Sequence, residues 1–99
     1  MYQLQVLEKA RNDMQKSADW YNKEKAGLGN RFLIETVRVF KSITANPLHH
    51  EEKFAKKFRF ARLSIFPYLV VYKVKGQLVI VNAVFHTSRN PKLFGNPKI

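Results

Sequence analysis

The sequence contains no cysteine, which excludes both a disulfide framework and a thiolate metal site. It also has no apolar run close to the roughly 20 residues that a membrane-spanning helix requires. Its first residues lack the basic stretch followed by an apolar stretch that marks a secretory signal. These absences predict a cytoplasmic protein that does not span a membrane.

Acidic residues are missing from the chain after Glu52. All seven lie before position 53, whereas ten of the eighteen Lys and Arg residues lie from Lys53 onward, and the net charge is +11. A basic surface kept only for solubility normally has acids interspersed among its bases. The distribution therefore predicts that the second half presents a basic, aromatic-bearing surface to an acidic or polyanionic partner.

The first half of the chain has the pattern of a short strand followed by two helices. Ninety-nine residues provide for one core, so residues 1–99 are expected to form a single domain. Residues 2–7 alternate with the strand period, and a helical period starts at Glu8. The tract Gly27-Leu28-Gly29-Asn30 interrupts the first helix, and Asn46-Pro47 ends the second. The apolar stripe predicted for the second helix is Leu28, Phe32, Leu33, Val37, Phe40 and Ile43.

The second half has the pattern of three β-strands. Residues 58–66 alternate in polarity and end at Pro67, which favours a turn or an edge position there. Residues 68–75 and 78–86 are β-branched and aromatic, and Gly76-Gln77 between them predicts an antiparallel hairpin. The expected fold class is α+β, with a short N-terminal strand and a helical hairpin packed on an antiparallel β-sheet. Because the strands are apolar on both faces, the pattern leaves open which face the helices cover.

Residues in a fixed order along nearly the whole chain match a known family. The chain resembles the RelE/ParE superfamily of toxins from bacterial type II toxin-antitoxin systems. The matching residues are Ala10, Asp13, Ala18, Trp20 and Tyr21, Gly27 to Phe32, Asn46-Pro47, Arg59, Arg62, Phe66-Pro67-Tyr68, Tyr72, Ala83 to His86, Arg89 and Pro91.

The resemblance implies two different activities. RelE-like members bind in the ribosomal A site and cut mRNA without a metal, whereas ParE-like members inhibit DNA gyrase and cut nothing themselves. The acid-free chain after residue 52 and the His86/Arg89 pair favour ribosome-associated mRNA cleavage, which is the predicted activity. Gyrase inhibition is the alternative, and the helical hairpin with Trp20-Tyr21 and its Gly-Leu-Gly turn favours it. Either activity would be neutralised by a cognate antitoxin, whose binding segment must be acidic because like charges across an interface cost affinity.

For RNA cleavage, three residues are the predicted catalytic group. Arg62 would stabilise the charge of the pentacovalent phosphate, His86 would act as base or acid, and Arg89 would clamp a phosphate. No cofactor and no metal are expected, because the sequence offers no phosphate-binding glycine loop and no metal-ligand cluster. The residues predicted to bind nucleic acid are Lys53, Lys56, Lys57, Arg59, Lys73 and Lys75.

Each of these roles has an alternative. Arg59 and Arg62 are three residues apart and therefore lie on opposite faces of a strand, so one groove receives only one of them. A histidine at a strand end, such as His86, is more often a hydrogen-bonded structural residue. Tyr68 and Tyr72 share one strand face, where they either stack on a base or belong to the core, and the core is favoured for Tyr72.

Overall fold

The computed structural model describes residues 2–49, 52–53 and 58–88. Two helices form one layer and a five-stranded sheet forms the other, which confirms the predicted α+β class. The elements in chain order are β1 (Gln3–Val6), α1 (Glu8–Glu24), α2 (Leu28–Ala45), β2 (Glu52–Lys53), β3 (Phe58–Arg62), β4 (Tyr68–Lys75) and β5 (Leu78–His86).

The two helices form a hairpin whose turn depends on glycine. Gly27, with a φ of 87°, precedes α2 in the left-handed conformation that other residues rarely adopt. Gly29 lies where α2 meets α1, and a Cβ atom there would stand 2.1 Å from the Ala18 carbonyl oxygen. The Gly29 backbone N–H also donates to Oδ1 of Asn22 at 2.8 Å. The Gly-Leu-Gly tract therefore supplies both the turn and the close approach of the helices.

One residue of the predicted α2 stripe is wrong. The buried residues of α2 lie along one side of the helix, and Val37 stands outside them with 43% of its surface exposed. It follows Thr36, which is fully buried, and is therefore rotated by about 100° away from the core. The buried set is Gly29, Phe32, Glu35, Thr36, Phe40 and Ile43.

The sheet has the strand order β1-β5-β4-β3-β2. Strands β2 to β5 are antiparallel neighbours, and the β4–β5 hairpin turns at Gly76-Gln77 as predicted. The N-terminal strand β1 pairs with β5 in parallel, from Gln3 opposite Leu78 to Val6 opposite Val81. The sheet is therefore mixed, with a parallel strand at one edge of the antiparallel set.

Strand β3 ends at Arg62, four residues earlier than the predicted 58–66 segment. The reason is Glu35, a buried carboxylate on α2 that accepts hydrogen bonds from the backbone N–H groups of Ser64 and of Ile65, the latter at 2.9 Å. These bonds hold the connection between β3 and β4 against α2. Pro67 lies in this connection, as its presence after the alternating segment predicted.

A second carboxylate joins α1 to the sheet. Oδ2 of Asp13 accepts a hydrogen bond from the backbone N–H of Val84 at 3.1 Å, beyond the point where β1 ends at Val6. Lys9 forms an ion pair with the same oxygen at 3.0 Å. Asp13 therefore satisfies an edge N–H group of β5 that β1 does not reach.

The main core lies between the helices and one face of the sheet. Ala10, Ala18, Phe32 and Ile43 of the helices pack there against Val70, Tyr72, Val79, Val81 and Val84 of the strands. In the described part of the chain, no helix has the length and apolar composition to cross a membrane.

Candidate functional site

The face of the sheet away from the helices, called the outer face below, carries two of the predicted binding cations, Lys73 and Lys75, together with the predicted catalytic residue Arg62. Cross-strand pairing places Arg62 beside Leu69, and Leu69 beside Phe85, on this face. Lys73 and Lys75 lie on the same face of β4, since they alternate with the core residues Tyr72 and Val74. Arg62 and Lys75 are exposed, and Lys73 is half-buried.

Beneath these cations the outer face has a small apolar cluster of its own. Val71, Ala83 and Phe85 are buried there. Phe58, Phe60 and Leu69 are partly buried and pack against them. The rings of Phe58 and Phe60 on β3 therefore pack against this cluster on the outer face.

A β-bulge in β5 decides on which face His86 lies. The register passes from Val81 opposite Tyr72 to Ala83 opposite Val71, so Asn82 is an extra residue in the ladder. Strict alternation from Val81 would place residue 86 on the outer face. With the bulge, His86 instead lies opposite Tyr68, on the face that the helices cover.

The structure therefore does not bring Arg62 and His86 together. The Arg62 side chain extends from the outer face, whereas His86 lies on the helix-covered face. For the two to act on one phosphate, a substrate would have to reach both sides of the sheet. The catalytic roles of these residues stay predictions.

His86 has the hydrogen-bonded setting of a structural histidine. Its Nδ1 atom accepts a hydrogen bond from the backbone N–H of Ser88 at 3.0 Å. Its ring meets the Tyr68 ring edge-on, with 5.2 Å between the centroids. Tyr68 in turn donates from its hydroxyl to Oγ of Ser17 on α1 at 3.0 Å. Nδ1 thus serves the local backbone.

Arg59 and Tyr72 together hold the segment that follows α2. The Tyr72 hydroxyl donates to the carbonyl oxygen of Pro47 at 2.6 Å, and the Arg59 guanidinium donates to that of Leu48 at 3.5 Å. Burial raises the pKa of Tyr72 to about 12, although the nearby Arg59 charge acts to lower it. The phenol is therefore a neutral donor at physiological pH, and Arg59 lies on the opposite face from Arg62, as the spacing predicted.

Neither strand tyrosine can stack on a base. Tyr68 is 2% exposed and Tyr72 is fully buried. Tyr68 belongs to an aromatic cluster with Tyr21, Phe32 and Phe66, in which its centroid lies 4.7 Å from that of Phe32. The prediction that Tyr72 belongs to the core is confirmed, and the alternative of a base-stacking role is wrong for both residues.

Other predicted site residues fall at or beyond the limits of the described chain. Lys56, Lys57 and Arg89 lie outside the described residues. The backbone of Lys53 belongs to β2, where it pairs with Phe58 at the sheet edge. The roles assigned to these four residues stay predictions.

The helical hairpin carries exposed apolar side chains that the sequence pattern did not single out as a surface. Trp20 on α1 is 56% exposed and meets Tyr21 edge-on. On α2, Ile34 and Val37 are exposed and stand three residues apart, so they are neighbours on its outward side. The sequence signal for the exposure of Ile34 is its position outside the predicted apolar stripe of α2. The cations on this helix are Arg31, Arg38 and Lys41, all exposed.

Metal chemistry has no candidate centre in the part of the chain that the structure describes, where no three His, Asp or Glu side chains form a group able to hold an ion.

Comparison with known proteins gives a family for the chain. Residues 4–91 match the model of the family described as ParE toxin of type II toxin-antitoxin system, parDE. Among curated proteins, none matches.

Two solved structures share the fold at low sequence identity. A structure titled as the chromosomal ParDE TA system from P. aeruginosa has a TM-score of 0.79 at 19% identity, over 89% of this chain and 98% of that one. A conserved hypothetical protein, HP0892 from Helicobacter pylori, has a TM-score of 0.51 at 18% identity, over 89% of this chain and 97% of that one. Because the family model spans most of the sequence, the chain belongs to the ParE toxin family of type II toxin-antitoxin systems.

Proposed function

We propose that this chain is a toxin that arrests growth by binding DNA gyrase and that it has no nuclease activity of its own. The observation that carries the proposal is the division of the predicted catalytic residues between the two faces of the sheet, with Arg62 on one and His86 on the other. Membership of the ParE family supports the same target, because ParE-like members are the gyrase inhibitors of the superfamily.

The predicted chemistry of RNA cleavage also requires a proton-transfer group beside the phosphate. The Nδ1 atom of His86 is engaged by the Ser88 backbone, and its ring packs on Tyr68. From residue 58 to residue 88 the described chain has no carboxylate to replace it. These contacts favour a toxin that acts by occupying a protein surface.

The exposed side of the helical hairpin is the surface proposed to contact gyrase. Trp20 is the largest exposed apolar side chain of the described residues, and tryptophan is enriched among the residues that dominate binding energy in protein interfaces. Ile34 and Val37 add an apolar pair on α2. Truncating Trp20 would then weaken the gyrase complex by about 2 kcal/mol, the range of an interface hot spot.

The antitoxin is expected to cover this toxin with an acidic segment. Family membership supports an antitoxin as a partner, and its acidity follows from the net charge of +11 and the acid-free second half. A segment that orders on binding would place its carboxylates near Arg59, Arg62, Lys73 or Lys75.

The test is a brief induction of the chain alone in growing bacteria, with two readouts from the same cells. Mapping of mRNA 5′ ends reports ribosome-dependent cleavage, and recovery of gyrase-linked DNA breaks reports gyrase poisoning. The expected result is gyrase-linked breaks with unaltered mRNA ends. New mRNA ends in register with codons, without such breaks, would contradict the proposal in favour of mRNA cleavage.

A pair of variants sharpens this test. Trp20→Ala removes an exposed ring from the hairpin, and Leu4→Ala removes an exposed apolar side chain from β1, at the sheet edge. The expected result is that Trp20→Ala loses most gyrase binding while Leu4→Ala keeps it, with both variants folded. Equal gyrase binding by the two variants would show that the hairpin is not part of the interface.

A further inference from the structure

The outer face of the sheet has a row of positive charge that the proposed gyrase contact does not use. Arg62 extends from β3, and Lys73 and Lys75 follow on β4. Lys73 lies four residues beyond Leu69, the cross-strand partner of Arg62, and Lys75 lies six beyond it. At about 3.3 Å per residue, the three cations extend over roughly 20 Å of the sheet.

This charge is not neutralised from within the described part of the protein. The ion pair between Lys9 and Asp13 involves none of these three cations, and Asp13 contacts the β5 backbone from the helix layer. No acidic residue occurs in the sequence after position 52. A polyanion is therefore the ligand whose charge complements this face.

The aromatic side chains of the outer face indicate which polyanion. Proteins that bind single strands offer exposed aromatic rings on which bases stack. Here Phe58 and Phe60 are partly buried and pack against the cluster of Val71, Ala83 and Phe85. What reaches outward is the charged ends of Arg62 and the two lysines, which suits backbone phosphates and does not read bases.

The geometry points to duplex DNA: we propose that the outer face, through Arg62, Lys73 and Lys75, binds the phosphate backbone of the DNA that gyrase holds. A duplex strand has one phosphate per roughly 3.4 Å of axis, so a 20 Å row of cations can follow several consecutive phosphates. The biological setting rests on the proposed gyrase activity. The hairpin would then contact the enzyme while the sheet contacts its DNA, and the acidic antitoxin segment proposed for the same cations would compete with that DNA.

The test compares two triple variants that remove the same charge. One is Arg62→Gln/Lys73→Gln/Lys75→Gln on the outer face. The matched control, Arg11→Gln/Lys16→Gln/Lys23→Gln, neutralises three exposed cations of α1 in the helix layer. Both are titrated onto a short fluorescein-labelled DNA duplex by fluorescence anisotropy at several salt concentrations, after melting curves have shown that each is folded.

The outer-face variant is expected to lose at least about tenfold in affinity, and the slope of log K against log salt should become shallower by roughly 2 to 3, as three lost phosphate contacts require. The control should keep the wild-type slope. Equal losses in both variants would overturn the proposal, because they would reflect total charge only. Tighter binding to a single-stranded RNA oligonucleotide than to the duplex, lost in the outer-face variant, would overturn it in favour of RNA.

A third arm separates this inference from the proposed function. Each protein is passed over immobilised gyrase without DNA. Wild-type binding that survives in the outer-face variant supports the division between hairpin and sheet. Loss of gyrase binding in that variant, with duplex binding unchanged, would assign the outer face to a protein contact and overturn the DNA assignment. Absence of gyrase binding by the wild-type protein would contradict the proposed function while leaving the duplex measurement to decide the DNA contact.

Discussion

Replacing Glu35 with alanine should destabilise the fold more than any other change to a single acidic residue of the helices. The carboxylate is 5% exposed and accepts two backbone hydrogen bonds from the turn after β3. In the Glu35→Ala variant the N–H groups of Ser64 and Ile65 lose their acceptor, and each buried unsatisfied group costs about 1–3 kcal/mol. Because both groups are only partly buried, water can satisfy them in part, and we expect a loss of about 3 kcal/mol in the free energy of unfolding.

Urea unfolding monitored by circular dichroism measures this loss. For a domain of this size, 1 kcal/mol corresponds to a shift of about 4–8 °C in Tm, so the variant should melt roughly 12–24 °C below the wild type. Glu35→Gln, which keeps one oxygen acceptor and loses the charge, should lose less. Glu24→Ala, at an exposed position on α1, is the matched control and should change stability by no more than about 0.5 kcal/mol. If Glu35→Ala and the Glu24→Ala control have the same free energy of unfolding, the Glu35 carboxylate does not hold the turn.

Three further predictions concern packing, pH and the antitoxin. Gly29→Ala should destabilise the hairpin by about 1–3 kcal/mol, because the new Cβ would stand 2.1 Å from the Ala18 carbonyl oxygen; a thermal melt no lower than that of wild type would show that the helices separate without cost. Tyr72→Phe should cost about 1 kcal/mol at pH 8, where the hydrogen bond to Pro47 is made. The folded pKa of Tyr72, about 12, exceeds the ordinary tyrosine value of 10.0, so the wild-type advantage should be complete below pH 10 and decline from pH 10 towards 12. Urea melts of both proteins showing a constant difference across this range would refute this. Association with an acidic antitoxin should slow steeply with added salt while dissociation changes little, and stopped-flow rates independent of salt would contradict the charge argument.

The sequence was most informative where local chemistry alone decides the structure. The bounds of β4 and β5 were predicted to the residue, because β-branched runs flank a Gly76-Gln77 turn. The Gly-Leu-Gly tract and Asn46-Pro47 likewise predicted the helical hairpin. Periodicity and turn residues were therefore enough to predict that these helices and strands exist.

Features that depend on contacts between distant residues could not be read in this way. Glu35 interrupts the apolar stripe of α2, and its partners lie about 30 positions further along the chain. The parallel pairing of β1 with β5 is also a contact between the two ends of the described chain. Neither has a local signature, so the early end of β3 and the mixed sheet emerged only from the structure.

The prediction of the candidate site was limited by the same dependence on contacts between distant residues. Alternation correctly separated Arg59 from Arg62, because β3 is regular where they lie. It could not place His86, because the bulge at Asn82 shifts every later residue of β5 to the other face, and a bulge depends on the partner strand. A prediction that grouped Arg62 with His86 thus depended on a register that the sequence does not reveal.

The most direct test of the gyrase proposal uses purified components. Relaxed plasmid, ATP and DNA gyrase are incubated with increasing amounts of the toxin, and in parallel the toxin is added to a reconstituted translation reaction whose mRNA is then sized. The account predicts that supercoiling stops, with cleaved plasmid accumulating, while the mRNA stays intact in the translation reaction. Full supercoiling activity in the presence of excess toxin, together with mRNA cut on the ribosome, would contradict it.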